Sequence, residues 1–139
     1  MIPLPDSVRA VLRGRAYAHV ATRNRDGSPQ VTMVWADVEG DYIVFNTDER
    51  RLKARNLRRD PRIVLSIQNP QEPQQYILAY GTVAEMTGEG AEAHMDALSP
   101  QYLDVSPYPY HRPDDERVLV KVAVDRLLGR GPWVPGRQR

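Results

Sequence analysis

The stretch Tyr42-Ile43-Val44-Phe45-Asn46-Thr47-Asp48-Glu49-Arg50-Arg51-Leu52-Lys53-Ala54-Arg55-Asn56-Leu57-Arg58-Arg59-Asp60-Pro61-Arg62 changes character twice. It begins as a strand over Tyr42 to Asn46, with Tyr42, Val44 and Asn46 on one side and Ile43 and Phe45 on the other. From about Glu49 to Arg59 it reads as a helix, and Asp60-Pro61 closes it. Proline cannot continue a helix, and it biases the preceding residue away from helical dihedrals. Seven of the thirteen residues from Arg50 to Arg62 are basic, against one acidic residue. On the helix, Leu52 and Leu57 sit on adjacent turns facing the interior, with Lys53 near the flank of that buried face. Arg51 and Arg55, four apart, share another face and are close enough to hold one anion together. The strand end at Asn46-Thr47 brings a hydroxyl and backbone N–H groups to the start of the helix, where the helix dipole favours negative charge. These parts form a candidate phosphate cradle. A solvated basic face accounts for the same composition. A nucleic-acid contact fits less well, because it needs basic partners elsewhere and an element that reads bases.

Upstream, Asp6 or Ser7 caps a short helix with Val8, Val11 and Leu12 on one face, ending at Gly14. Tyr17 to Thr22 reads as a strand, Asn24-Arg25-Asp26-Gly27 as a turn, and Val31 to Ala36 as a second strand before the turn Glu39-Gly40-Asp41. With Tyr42 to Asn46 this makes a three-stranded antiparallel meander. Downstream, Ile63 to Gln68 is a fourth strand, followed by a polar loop from Asn69 to Gln74. Tyr76 to Met86 is a fifth, with Gly81 as a bend or bulge site. Glu89 to Leu98 reads as helical. Ser99 to Pro113, with four prolines and three tyrosines, is irregular and needs support from elsewhere. Arg117 to Val124 is a sixth strand, and Leu127 to Arg139 is a tail rich in Gly, Pro and Arg. Six strands with two or three short helices predict one mainly β domain over residues 1–139, a six-stranded antiparallel barrel with short peripheral helices. A dinucleotide-binding βαβ fold is excluded, since no Gly-x-Gly-x-x-Gly follows a strand.

With 19 basic and 18 acidic residues, the formal net charge is +1. Overall charge therefore predicts neither a nucleic-acid nor a membrane-surface partner. The absence of cysteine removes disulfides, thiolate chemistry and cysteine-held metals. The N-terminus lacks a charged and an apolar signal region, and no apolar run approaches the roughly 20 residues that span a bilayer, which predicts a cytoplasmic protein. His19, His94 and His111 show no metal-ligand spacing, and no Ser/His/Asp set or paired carboxylates stand out. Trp35 reads primarily as barrel filling, with a place bordering a bound ligand as the alternative. Tyr102, Tyr108 and Tyr110 read either as a lid over a flat substrate or as anchors of an otherwise loose loop.

Arg55-Asn56-Leu57-Arg58-Arg59-Asp60-Pro61-Arg62, with Lys53 just before it, closely resembles the helix-to-strand junction of the pyridoxamine 5'-phosphate oxidase-like split β-barrel proteins, most of all their flavin/deazaflavin oxidoreductase branch. The resemblance extends over roughly Leu4 to Met86, including Ala18 to Thr22, the Asp26 to Gln30 turn, and Tyr76 through Ala79-Tyr80-Gly81-Thr82. It implies a homodimeric split barrel that binds coenzyme F420 or FMN, the former favoured because its anionic glutamyl tail suits so basic a helix. The second strand (Gln30, Val31, Thr32, Met33 and Val34) would then lie along the cofactor ring. Asn46, Thr47, Arg51 and Lys53 would hold the phosphate, with Arg55 and Asn56 next in line, and Tyr76 and Trp133 would reach across to the partner chain. The implied activity is hydride transfer between the cofactor and a flat conjugated small-molecule acceptor, with no side-chain nucleophile. The alternatives are a non-catalytic FMN, F420 or tetrapyrrole carrier or sensor, and a pyridoxine-phosphate oxidase using Arg130, Arg137 and Arg139.

Overall fold

The structure, a computed structural model, describes residues 1–135. Three helices and six strands follow in the order α1 (Asp6–Leu12), β1 (Tyr17–Arg23), β2 (Pro29–Glu39), β3 (Tyr42–Asp48), α2 (Leu52–Arg59), β4 (Arg62–Gln68), β5 (Tyr76–Thr87), α3 (Ala91–Leu103) and β6 (Arg117–Arg130). All neighbouring strands run antiparallel, and the sheet closes on itself in the order β1-β2-β3-β6-β5-β4. The fold is the mainly β six-stranded barrel that the sequence predicts.

Alternation along the strands fills the interior. Ala18 and Val20 of β1, Ile43 and Phe45 of β3, Ile63, Leu65 and Ile67 of β4, and Val120, Val122 and Val124 of β6 all join one buried cluster. Val8, Val11 and Leu12 of α1 are buried in the same cluster, so the short helix caps it. The opposite side of β3 is covered too: Val44 packs with Ala91 of α3 and with Leu119, which is why nearly every residue of β3 is buried. Gly81 lies at a register shift between β5 and β6, where an added Cβ would stand 2.2 Å from the Ala123 carbonyl oxygen. The chain can approach that closely only because the side chain is missing.

The β2–β3 ladder is short. It pairs Ala36–Glu39 with Tyr42–Phe45 and stops. Back from Trp35 to Pro29, β2 pairs with β1 alone, while β3 runs on from Asn46 to Asp48 against β6. The barrel is split here, and one edge of β2 faces a gap rather than a strand.

Six expectations change. Pro5, not Asp6 or Ser7, stands at the N-cap of α1, with no side-chain cap, and Leu52 is exposed rather than facing the interior. α2 begins at Leu52, not Glu49, because the Asp48 carboxylate accepts the Arg50 N–H at 2.9 Å and Arg51 is extended (ψ 145°). β6 runs past Val124 to Arg130, absorbing the start of the expected tail and pairing with β5 to Tyr76. α3 continues through Pro100 to Leu103, where the sequence reads as irregular from Ser99. Proline removes one helical hydrogen bond, and the last turn is held instead by Tyr102, whose hydroxyl lies 2.9 Å from the Ala16 carbonyl and 2.6 Å from that of Ala36. Trp133 does not extend toward a partner chain. It is buried in this chain's own core with Val134, and Gly131 leaves the room its ring occupies. Residues 136–139 of the expected tail, including Arg137 and Arg139, lie outside the described residues.

Candidate functional site

The gap between β2 and β3 widens into a groove of about 790 Å³, a volume typical of small-molecule and cofactor sites. Thr32, Met33, Val34 and Trp35 form the β2 side, and Asn46, Thr47 and Asp48 the β3 side. Arg51 and Lys53 approach from the start of α2, while Tyr108, Tyr110 and Arg112 come from the loop 104–116.

Lys53 dominates the electrostatics. It is 7% exposed and makes no salt bridge or side-chain hydrogen bond among the described residues. Burial pushes its pKa down, and the neighbouring Arg51 pushes it the same way. Taking an ammonium out of water costs several kcal/mol unless a counter-charge replaces the lost hydration. None is supplied among the described residues, which leaves the position suited to an anion from outside. Further unsatisfied groups surround it: Thr32 Oγ1, Asn46 Oδ1 and Arg117 Nε are all buried without a partner among the described residues, and all three residues line this groove. Buried polar atoms are rarely left unpaired, and three lining one groove suit a polar ligand.

The Asn46 amide is held in one orientation. Its Nδ2 donates to the Ala91 carbonyl at 2.7 Å and lies 3.3 Å from His94 Nδ1, which leaves Oδ1 as the free atom. Burial lowers the His94 pKa, although Asp37 and Glu39 pull the other way. A neutral ring can accept from the amide.

The groove's acids gather around one arginine. Arg50 makes paired contacts to Asp48 (2.9 and 3.0 Å) and a 3.1 Å contact to Asp114. The hydrogen bond from Arg50 holds the Asp48 carboxyl well below the usual carboxylate range, against the opposing effect of its burial. Asp48 also accepts the Glu116 N–H at 3.0 Å, tying the loop 104–116 to the end of β3.

Of the sequence-predicted residues, the groove gathers Thr32, Met33, Val34, Asn46, Thr47, Arg51 and Lys53. It leaves out six. Val31 points outward and is 57% exposed. Gln30 accepts from Thr22 Oγ1 at 3.2 Å. Asn56 is 1% exposed and donates to Thr22 Oγ1 (3.1 Å) and Asn24 Oδ1 (3.0 Å), so it fastens α2 to the end of β1 rather than offering itself to a ligand. Arg55 turns into a separate groove of about 570 Å³ with Arg25 and Arg59. Tyr76 stands at the far end of β5, and Trp133 is in the core.

Sequence reading missed Met95, Arg112 and Arg117 as groove residues, and it took Trp35, also in the groove lining, mainly as barrel filling. Trp35 is on the outside of the barrel, not filling it. Its ring stacks on Tyr102 (centroids 5.0 Å apart, planes 2° apart) and meets Tyr108 edge-on at 6.0 Å. The three tyrosines divide between the two expected roles: Tyr102 anchors, while Tyr108 and Tyr110 line the groove. Of the histidines, His111 helps fix the loop, with Nε2 2.7 Å from the Asp96 carboxylate that also accepts the Tyr108 N–H.

A closed six-stranded barrel, split beside a groove lined by Arg51 and Lys53, defines a recognisable class. The chain belongs to the pyridoxamine 5'-phosphate oxidase family, whose model matches residues 4–130. Among solved structures it is similar to an F420 reductase (28% identity, 90% of this chain and 98% of that one covered, TM-score 0.77). It shares its fold with a conserved hypothetical protein from Mycobacterium tuberculosis (21% identity, 93% and 85% covered, TM-score 0.72). The same fold occurs in a pyridoxamine 5'-phosphate oxidase-related, FMN-binding protein from Nostoc punctiforme (16% identity, 88% and 81% covered, TM-score 0.63).

Proposed function

We propose that this chain is a cytoplasmic homodimeric oxidoreductase that binds coenzyme F420, in preference to FMN, in the β2–β3 groove and passes hydride between it and a flat conjugated small molecule. The observation that carries the reading is Lys53, a buried side chain whose ammonium has no counter-ion among the described residues, beside an unpaired strand edge. The residues fit such a cofactor. Lys53, Arg51 and the Thr47 hydroxyl take the phosphate. The free backbone groups of Thr32 to Val34 run along the ring, and Asn46 Oδ1 accepts from a hydroxyl or ring N–H. When bound, the cofactor supplies the redox chemistry. The chain's own part is to orient and to exclude water. Val34 and Met95 give the groove apolar surface, and Tyr108 and the largely exposed Tyr110 line it from the loop side, where an acceptor would approach.

The deazaflavin is preferred because Arg25, Arg55 and Arg59 line a second groove along α2, suited to an anionic glutamyl tail. The homodimer rests on the outer face of the sheet. The cross-strand row Met33, His19, Ser66, Leu78 and Leu128 spans five strands, and the next row holds Val31, Ala21, Val64 and Tyr80. Val31, Met33, Tyr17, Tyr76 and Leu128 are exposed on it, an apolar face that a second copy would cover. No helix among the described residues is long and apolar enough to cross a membrane.

The test is a fluorescence-quenching titration with coenzyme F420 and, separately, FMN, on the wild type and on Lys53→Met. Micromolar binding of F420, weaker FMN, and a loss of about tenfold or more in the variant are expected, a charge-assisted contact being worth roughly 1.5–3 kcal/mol. Unchanged affinity in the variant would remove the phosphate assignment.

A further inference from the structure

Two cations in the groove remain unexplained by a cofactor phosphate at α2. Arg112 and Arg117 belong to the loop 104–116 side and the start of β6, not to the helix. The three groove carboxylates, Asp48, Asp114 and Asp115, lie within 4.0 Å of Arg50; Arg112 and Arg117 form no salt bridge among the described residues, although the charge of Arg112 helps hold the Asp114 pKa down. The Arg112 backbone N–H bonds to Asp115 at 2.8 Å, but its guanidinium makes no hydrogen bond among those residues. Arg117 Nε is buried and unpaired, and its guanidinium lies over the Tyr108 ring, 5.5 Å from the centroid. Tyr108 meets Trp35, Tyr110 and His111 edge-on, and Tyr110 is 65% exposed although it lines the groove. The result is a wall of aromatic rings with two guanidiniums left over at its edge.

Resting on the cofactor reading above, we infer that this wall is the acceptor subsite and that it selects planar conjugated anions, with the flat ring against Tyr108 and Tyr110 and the carboxylate on Arg112 and Arg117. A planar guanidinium fork matches a carboxylate in two parallel hydrogen bonds, and the stack of Arg117 on Tyr108 fixes the direction of that fork in advance. Exposed aromatic faces gain from covering by a second flat ring. A neutral ring of the same shape keeps the stacking and forfeits the charge-assisted bonds, so the subsite discriminates by charge rather than by outline.

The probes are 2-naphthoate and its neutral counterpart 2-naphthamide, titrated by tryptophan fluorescence into protein saturated with oxidised F420 or FMN, whichever binds. The acid should bind at least about tenfold more tightly than the amide. Arg112→Gln should remove most of that preference, leave amide affinity unchanged, and leave cofactor affinity unchanged. Arg112 is exposed, so this variant tests the inference even where Arg117→Gln disturbs the start of β6; Arg117→Lys, which keeps the charge and loses the fork, should fall between. Lys53→Met should do the reverse, weakening the cofactor and sparing the preference for the acid in whatever fraction remains loaded. Equal affinity for acid and amide overturns the inference while the cofactor reading stands. Loss of cofactor affinity in Arg112→Gln also overturns it, because these cations would then belong to the phosphate. Failure of both cofactors to bind the wild type removes the cofactor reading and the acceptor subsite together.

Discussion

Lys53 and Asn56 are three residues apart on one helix, both buried, and they do opposite things. Lys53 carries a cost that the fold does not offset, whereas Asn56 is satisfied by Thr22, Asn24 and Arg59. Replacing Lys53 with Met keeps the aliphatic stem and removes the desolvated charge, so the ligand-free protein should gain about 1 kcal/mol or more. The gain depends on pH. Because the folded pKa of Lys53 is lowered, the unfolded chain holds more protons between that value and the ordinary lysine value of about 10.4, and wild-type stability rises with pH through that window. The advantage of Lys53→Met should therefore be largest below the lowered folded pKa and disappear only as pH passes about 10.4, read from melting temperatures of the two proteins. Asn56→Ala should behave differently. It leaves two acceptors unpaired at a buried junction and should cost about 2 kcal/mol in urea unfolding, with a fall in cofactor affinity only through misplacement of α2. A loss below about 0.5 kcal/mol would mean that α2 is held by Leu57 and Ala54 packing alone.

Among the elements, α3 with the loop after it decides what the groove can hold. Tyr102 fixes that unit to the barrel. Its hydroxyl accepts the Ala36 N–H at 3.2 Å and faces the carbonyls of Ala16 and Ala36, and burial pushes its pKa up to about 12. Tyr102→Phe keeps the stack on Trp35 and drops the hydrogen bonds, for a loss of about 1–2 kcal/mol. The expected signature is local: faster amide exchange across 104–116 with β4 and β5 unchanged, since the aromatic cluster with the Asp96 and Asp48 ties would still hold the loop, less tightly. Uniformly faster exchange would show that Tyr102 supports the whole barrel instead. These ties were hard to see in the sequence, because a Pro-rich stretch carries no periodicity and its support comes from residues as many as 86 positions away.

At the scale of the whole molecule, the barrel buries its inner face and leaves apolar residues on the outer one. Val31 lies outside the groove and is 57% exposed at the edge of that patch. Val31→Glu should shift the mass seen in light scattering from two chains to one, without loss of secondary structure. A wild type that is already monomeric at tens of micromolar would remove the dimer from the proposal. Cofactor affinity measured on the monomeric variant would then report how far the groove depends on a second copy.

Sequence alone determined the strands, their antiparallel order through the meander, and the cation-rich start of α2. Each of these rests on local signals: alternation of period two, Asn-Arg-Asp-Gly and Glu-Gly-Asp turns, and a Pro61 stop. It also put Arg51 and Arg55 on one helix face as an anion site, a pairing the structure undoes: Arg51 is the extended cap residue ahead of α2 and lines the β2–β3 groove, while Arg55 faces the other groove. Tertiary structure decided the rest. Whether Arg55 joins Lys53 or faces another groove depends on how α2 is rotated against β1, which the Asn56 hydrogen bonds to Thr22 and Asn24 set. Whether Trp133 reaches outward or folds into the core depends on β6 running to Arg130 against β5, a pairing between segments about 50 residues apart. The aromatic wall of Trp35, Tyr108 and Tyr110 exists only because α3 and its loop return across the open edge of β2. Such contacts have no local signature: they form between segments distant in the chain, wherever the closed barrel leaves a face to cover.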